Sequence, residues 1–161
     1  MNERSTEETP ARLERLILEQ PLPARVLFDP ENFPFLLRAA WEAIRLPVLL
    51  SFRRVEALYP PPSTSAALPF DVEKAAIAVA VTEGLLRARW FPFRRTCLRR
   101  ALILANLLRG SGLETEIGFG VSPERADLQG HAWLVLGGEP FLERGEDLAG
   151  YTCVFTLPRR E

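Results

Sequence analysis

The chain has 161 residues, the length of one domain, with 47% hydrophobic and 25% charged residues. That composition is globular and excludes a disordered, fibrous or disulfide-scaffold protein. With 20 basic against 21 acidic residues and a formal net charge of −1, it also lacks the basic excess of a dedicated nucleic-acid binder.

Met1 to Pro10 is polar and expected to fray. Nothing apolar follows it in the manner of a signal peptide, so a cytoplasmic protein is expected. A short helix is expected over Ala11 to Glu19, with Leu13, Leu16, Ile17 and Leu18 on its buried side and Pro21 and Pro23 ending it. Helical spacing of Leu36, Ala39, Ala40 and Ala43 marks a second helix from Phe35 to Leu46. Pro47 begins or kinks the next segment, Val48 to Tyr59, read as helical from Leu49, Leu50, Phe52 and Val55. The region from Phe33 to Tyr59 is the most apolar, but Arg38, Glu42, Arg45, Arg53 and Arg54 interrupt it, so it is no membrane span. Phe33, Phe35, Leu36, Trp41 and Phe52 are expected to pack onto the rest of the chain and are candidates also for a partner's docking surface.

A stiff break follows at Pro60-Pro61-Pro62-Ser63-Thr64-Ser65. Asp71 then caps a helix from Val72 to about Arg89, apolar nearly all round between Ala75 and Val81. Another helix starts at Thr96 or Cys97 and runs to Arg109, with Leu98, Ala101, Leu102 and Ala105 as its apolar stripe. Gly110-Ser111-Gly112 ends it. The period then changes to two. Thr115 to Val121 reads as a strand, Val121 to Gly130 as a loop, and His131 to Leu136 as a second strand. Gly137-Gly138 turns into a return strand, Pro140 to Glu143, and Tyr151 to Leu157 is the last. Helices first and antiparallel strands afterwards make an α+β fold. Two parts are expected, an N-terminal helical extension over residues 1–70 and a second domain over 71–161.

The chain has one histidine, His131, and two cysteines, Cys97 and Cys153. Two cysteines do not make a disulfide framework, and this set lacks zinc-like ligand spacing, so neither a metal nor a cofactor is expected. Cysteine nucleophiles act as thiolates, which a helix N-terminus and a nearby imidazole both favour. Cys97 opens a helix among Arg94, Arg95, Arg99 and Arg100, and His131 opens a strand at Gln129-Gly130-His131-Ala132-Trp133. Cys153, between Thr152 and Val154 in mid-strand, is read as structural. A third group should orient the imidazole, as in triad chemistry, and Glu143 on the return strand is the candidate. A strict two-residue turn would set Glu143 opposite Ala132 on the wrong face. A three-residue loop, Gly137-Gly138-Glu139, is therefore expected, pairing Trp133 with Glu143 and leaving Glu143 diagonal to His131.

The run Thr96-Cys97-Leu98-Arg99-Arg100-Ala101-Leu102-Ile103-Leu104, the glycine Gly112 before a strand, and His131-Ala132-Trp133 resemble the leader peptidases of lasso-peptide biosynthesis. The resemblance covers about Phe91 to Leu157. It implies a transglutaminase-like, papain-type core with a nucleophile helix packed on an antiparallel sheet. It also implies a cysteine protease that cuts the leader from a ribosomally made precursor peptide, with Cys97 as nucleophile and His131 as base. Glu143 stands where that family usually has an aspartate. The backbone N–H of Cys97 is one oxyanion donor, and the indole N–H of Trp90 is the candidate for a second. Gln20, the only glutamine ahead of the helix, is distant in sequence.

The implied partners are the precursor peptide and an ATP-dependent macrolactam cyclase. Residues 1–70 read as helix, so the winged-helix leader-recognition domain is expected as a separate protein. Two other readings remain at this stage: a transglutaminase-like acyltransferase, and a catalytically silent scaffold of the maturation complex.

Overall fold

The computed structural model describes residues 4–22, 29–59, 61, 69–88, 96–122 and 129–158. Trp90, Arg94, Arg95, all of the Pro60–Ser65 break except Pro61, and residues 123–128 of the expected loop lie outside the described residues. Helix α1 spans Arg4–Leu18 and so begins well before Ala11. Its buried face is narrow. Ile17 is buried and Leu13 partly so, four residues apart on one face, while Leu16 and Leu18 are exposed, contrary to expectation.

Helix α2, Phe33–Leu49, carries Pro34 in its first turn, where the missing N–H costs nothing. It buries Phe35, Ala39, Ala43 and Leu46 at helical spacing. The expected stop at Pro47 does not occur. The helix runs through the proline, which is itself buried, and the ladder resumes with Leu50 N–H donating to the Leu46 carbonyl at 2.9 Å. An interior proline costs roughly 3 kcal/mol in an isolated helix, and core packing of its ring and of Leu46 offsets that here. The segment after it is not one helix, since only Val55–Leu58 (α3) is helical. Of the apolar residues expected to pack inward, Phe35 is buried and Leu36 partly so. Phe33, Trp41 and Phe52 are exposed, Trp41 at 61% and Phe52 at 81%.

Helix α4, Val72–Arg87, starts as the sequence predicts: Asp71 Oδ1 accepts from the Lys74 N–H at 3.1 Å. Helix α5, Cys97–Gly110, is the centre of the molecule. Its Ala101 to Ala105, Leu107 and Leu108 are all buried, a wider apolar surface than the single stripe expected. It packs against α2, α4 and the first two strands, which requires burial nearly all round. Tyr59 fastens α3 to the start of the sheet, its hydroxyl donating to the Thr115 carbonyl at 2.6 Å.

The sheet is antiparallel in the order β3-β2-β1-β4, with β1 Glu116–Ser122, β2 Gln129–Leu136, β3 Glu139–Phe141 and β4 Thr152–Leu157. A four-residue helix, α6 (Gly145–Leu148), joins β3 to β4. Ile117, Ala132, Leu134 and Phe141 belong to one buried core with the helices, and the architecture is α+β.

The β2–β3 turn corrects an expectation. Leu136 pairs with Glu139, so Gly137 and Gly138 alone form a two-residue turn, with φ of 62° and 94°. Glycine adopts positive φ at both positions without a Cβ penalty, and that geometry matches the strand twist. The three-residue loop that would pair Trp133 with Glu143 is absent. β3 ends at Phe141, before Glu143, because Leu142 turns into the left-handed region at φ 56°.

Candidate active site

Cys97 is the first residue of α5, and Thr96 is its cap. The Thr96 hydroxyl accepts from the Arg99 N–H at 3.3 Å and its carbonyl from the Arg100 N–H at 3.0 Å. The N–H groups of Cys97 and Leu98 are those a helix leaves without an intrahelical acceptor, at its positive end. They suit a developing oxyanion.

His131 is the third residue of β2, because the strand begins at Gln129 rather than at the histidine. It lies opposite Gly120 of β1. A Cβ at Gly120 would fall 2.6 Å from the Trp133 ring and 2.7 Å from the Thr152 carbonyl oxygen, so only glycine admits the indole across β1. The indole in turn stacks on His131 at 5.9 Å between ring centres, and Tyr151 closes on the imidazole at 5.2 Å. The Nε2 atom of His131 is buried and has no hydrogen-bond partner among the described residues.

Cys97 and His131 line the same two cavities. One, of about 810 Å³, is walled by Glu83, Arg100, Glu143, Asp147 and Tyr151 among others. The other, of about 390 Å³, is apolar, with Leu98, Phe119 and Phe155 in its wall. The two side chains singled out in the sequence thus border the same two spaces, the shared neighbourhood that thiol–imidazole chemistry needs. Burial holds the His131 pKa below its ordinary value; the Asp147 carboxylate pulls it up, and the Arg100 guanidinium pushes it further down. A base kept neutral in this way is ready to take a proton near neutral pH.

Glu143 lines the larger cavity, but its carboxylate is held by Arg100 Nη1. The same guanidinium donates from Nε to Glu83 and from Nη2 to the Leu142 carbonyl at 2.8 Å. Burial raises the Glu143 pKa, with Arg100 acting against it. The register that was to place Glu143 diagonal to His131 is not the one formed. It is Asp147, on α6, whose charge reaches the imidazole. Asp147 and Tyr151 are not singled out by the sequence, and Arg100 enters there only as one of four arginines around Cys97. Arg100 sits one turn after Cys97 on α5, a spacing that signals a shared face. Asp147 and Tyr151 lie beyond the bend at Leu142, and nothing in residue type announces where that bend sends the chain. The candidate donor Trp90 lies outside the described residues. Cys153 is exposed on β4. Among the described residues, no group of three or more His, Cys, Asp and Glu side chains is arranged to hold a metal ion. None of the described helices is long and apolar enough to cross a membrane.

A family model described as transglutaminase-like superfamily matches residues 34–156, more than half of the chain. Neither a curated protein nor a solved structure matches.

Proposed function

The chain belongs to the transglutaminase-like superfamily, and from that premise we propose that it is a cysteine peptidase removing the leader from a ribosomally made lasso-peptide precursor. The observation that carries the reading is that Cys97, at a helix N-terminus, and the one histidine of the chain line the same cavity. The neutral imidazole takes the thiol proton as sulfur attacks the scissile carbonyl carbon. The oxyanion faces the Cys97 N–H at the head of α5. Collapse breaks the C–N bond, and the imidazolium proton goes to the departing amine, leaving a thioester on Cys97. Water, deprotonated by His131, then attacks the thioester and restores the thiol. Glu143 and Asp147 are the two carboxylates on the side of the base, with Asp147 coupled to the imidazole and Glu143 to Arg100.

In this reading a separate leader-recognition protein presents the precursor, and the ATP-dependent cyclase acts on the product. The test is mass spectrometry of precursor incubated with the chain, with and without that recognition protein. Free leader and core are expected, more with the recognition protein than without it. Cys97→Ala and His131→Ala should each cut the rate by about 10³-fold or more. A Cys97→Ala protein that cleaves at the wild-type rate would overturn the proposal. The carboxylates of the larger cavity favour one second reading, acyl transfer to an amine bound there. A new amide in place of free acid would establish it.

A further inference from the structure

We propose that the smaller cavity is the subsite for an apolar side chain on the acyl side of the scissile bond, while the larger cavity receives the leaving amine. The inference rests on the peptidase reading above. Cys97 and His131 stand at the boundary between two spaces of opposite character. On one side Leu98, Phe119, Val121, Ala132, Val154 and Phe155 supply an apolar wall. Phe119 and Phe155 stack at 4.6 Å with their planes 11° apart, a flat aromatic face. The cross-strand register shifts between Phe119 and Gly120: Phe119 pairs with Phe155 and Gly120 with Cys153. Val154 is therefore an extra residue in the edge strand, with no register partner on β1. It is 63% exposed and Phe155 39% exposed, although both are large apolar side chains. Covering such a surface with an apolar side chain is favoured by the hydrophobic effect. Gly130, which also lines the cavity, leaves its floor open: a Cβ there would meet only the Gly120 carbonyl, at 3.9 Å.

The wall of the larger cavity has the opposite chemistry. Five carboxylates, including Glu143, Glu146 and Asp147, face three guanidiniums, and Arg100 is already bound to Glu83 and Glu143. When the C–N bond breaks, the amine leaves with the proton of His131, and an α-amino group with a pKa of about 8 is largely cationic at neutral pH. A carboxylate-rich wall favours that cation, and an apolar wall opposes it. The polar side is thus the leaving-group side, which assigns the apolar side to the acyl half of the peptide. That half stays bound as the thioester until water arrives.

Dipeptidyl acyloxymethyl ketones test the assignment, because they carry only the acyl half and alkylate the thiol directly. Phe, Leu, Ala, Asp or Lys is placed in turn at the residue bearing the ketone and at the one before it, and labelling of Cys97 is timed by intact mass. At one of the two positions Phe or Leu should label about 10-fold faster than Ala, with Asp slowest. Phe155→Ala and Val154→Asp should each reduce that ratio to about 2-fold or less. Val154 is mostly exposed, so its substitution keeps the test valid if the Phe155 variant does not fold. Equal labelling by all probes, or a preference that survives both substitutions, would overturn the subsite and leave the peptidase reading standing. If no probe modifies Cys97, the peptidase reading falls and takes the subsite with it.

Discussion

The imidazole of His131 is partly buried and feels a carboxylate and a guanidinium of opposite effect, and the balance of burial and the two charges sets the pH at which it can act as a base. Burial and Arg100 hold its pKa down, and Asp147 holds it up. The acidic limb of kcat/KM should therefore fall below the ordinary histidine value of about 6.5. Removing the Asp147 charge disfavours the imidazolium, so Asp147→Asn should move that limb to still lower pH. Glu143→Gln, whose native carboxylate is committed to Arg100, should move it less and slow cleavage less than His131→Ala. A larger displacement from Glu143→Gln would reverse the two roles. At this scale the sequence carried half of the candidate site. A cysteine behind a threonine cap and a histidine near the start of a strand announce themselves, because capping and strand alternation are local. Asp147 does not, because its place follows from the positive φ of Leu142, which leucine rarely adopts.

Arg100 is where separate elements become one site. From α5 it reaches Glu83 on α4 and both Leu142 and Glu143 at the bend after β3. Its side chain is 14% exposed and that of Glu143 9%. Arg100→Met would leave the largely buried Glu143 carboxylate without its counter-charge and Glu83 with Arg87 alone, at a cost of about 3 kcal/mol. The sign with pH follows from Glu143, whose pKa, raised by burial, means that it takes a proton sooner than an ordinary carboxylate as pH falls. Neutralising it relieves the uncompensated charge, so the loss should be smaller at pH 5 than at pH 7. Urea unfolding at both values measures it, and a loss below about 1 kcal/mol at pH 7 would show that the clamp is not structural. The β2–β3 hairpin shows why element positions were legible and register was not. The glycine pair marks the turn correctly, but wanting Glu143 near His131 added a residue that the intrinsic turn geometry of two glycines rejects.

For the whole molecule, the order of helices and then strands was enough to give an α+β fold, because the change of period from 3.6 to 2 is a global feature of the chain. Which apolar face points inward was not readable, and α2 shows the reason. It carries one stripe through Phe35, Ala39, Ala43 and Leu46, which is buried. A second, through Phe33, Leu37, Trp41, Ile44 and Val48, is exposed. Both have helical spacing, and the second has the larger side chains, so hydrophobicity alone picks the wrong one. The small residues decide it: Ala39 and Ala43 let the α2 backbone approach α4 and α5, and Trp41 at that contact would hold them apart. The two stripes should therefore respond oppositely to charge. The Leu37→Glu, Trp41→Glu double variant should melt within about 3 °C of the wild type, as exposed substitutions do. Ala43→Glu, fully buried against α4 and α5, should abolish cooperative unfolding. Thermal melts followed by circular dichroism read both, and a double variant that unfolds while Ala43→Glu survives would mean that α2 is docked by the face described here as free.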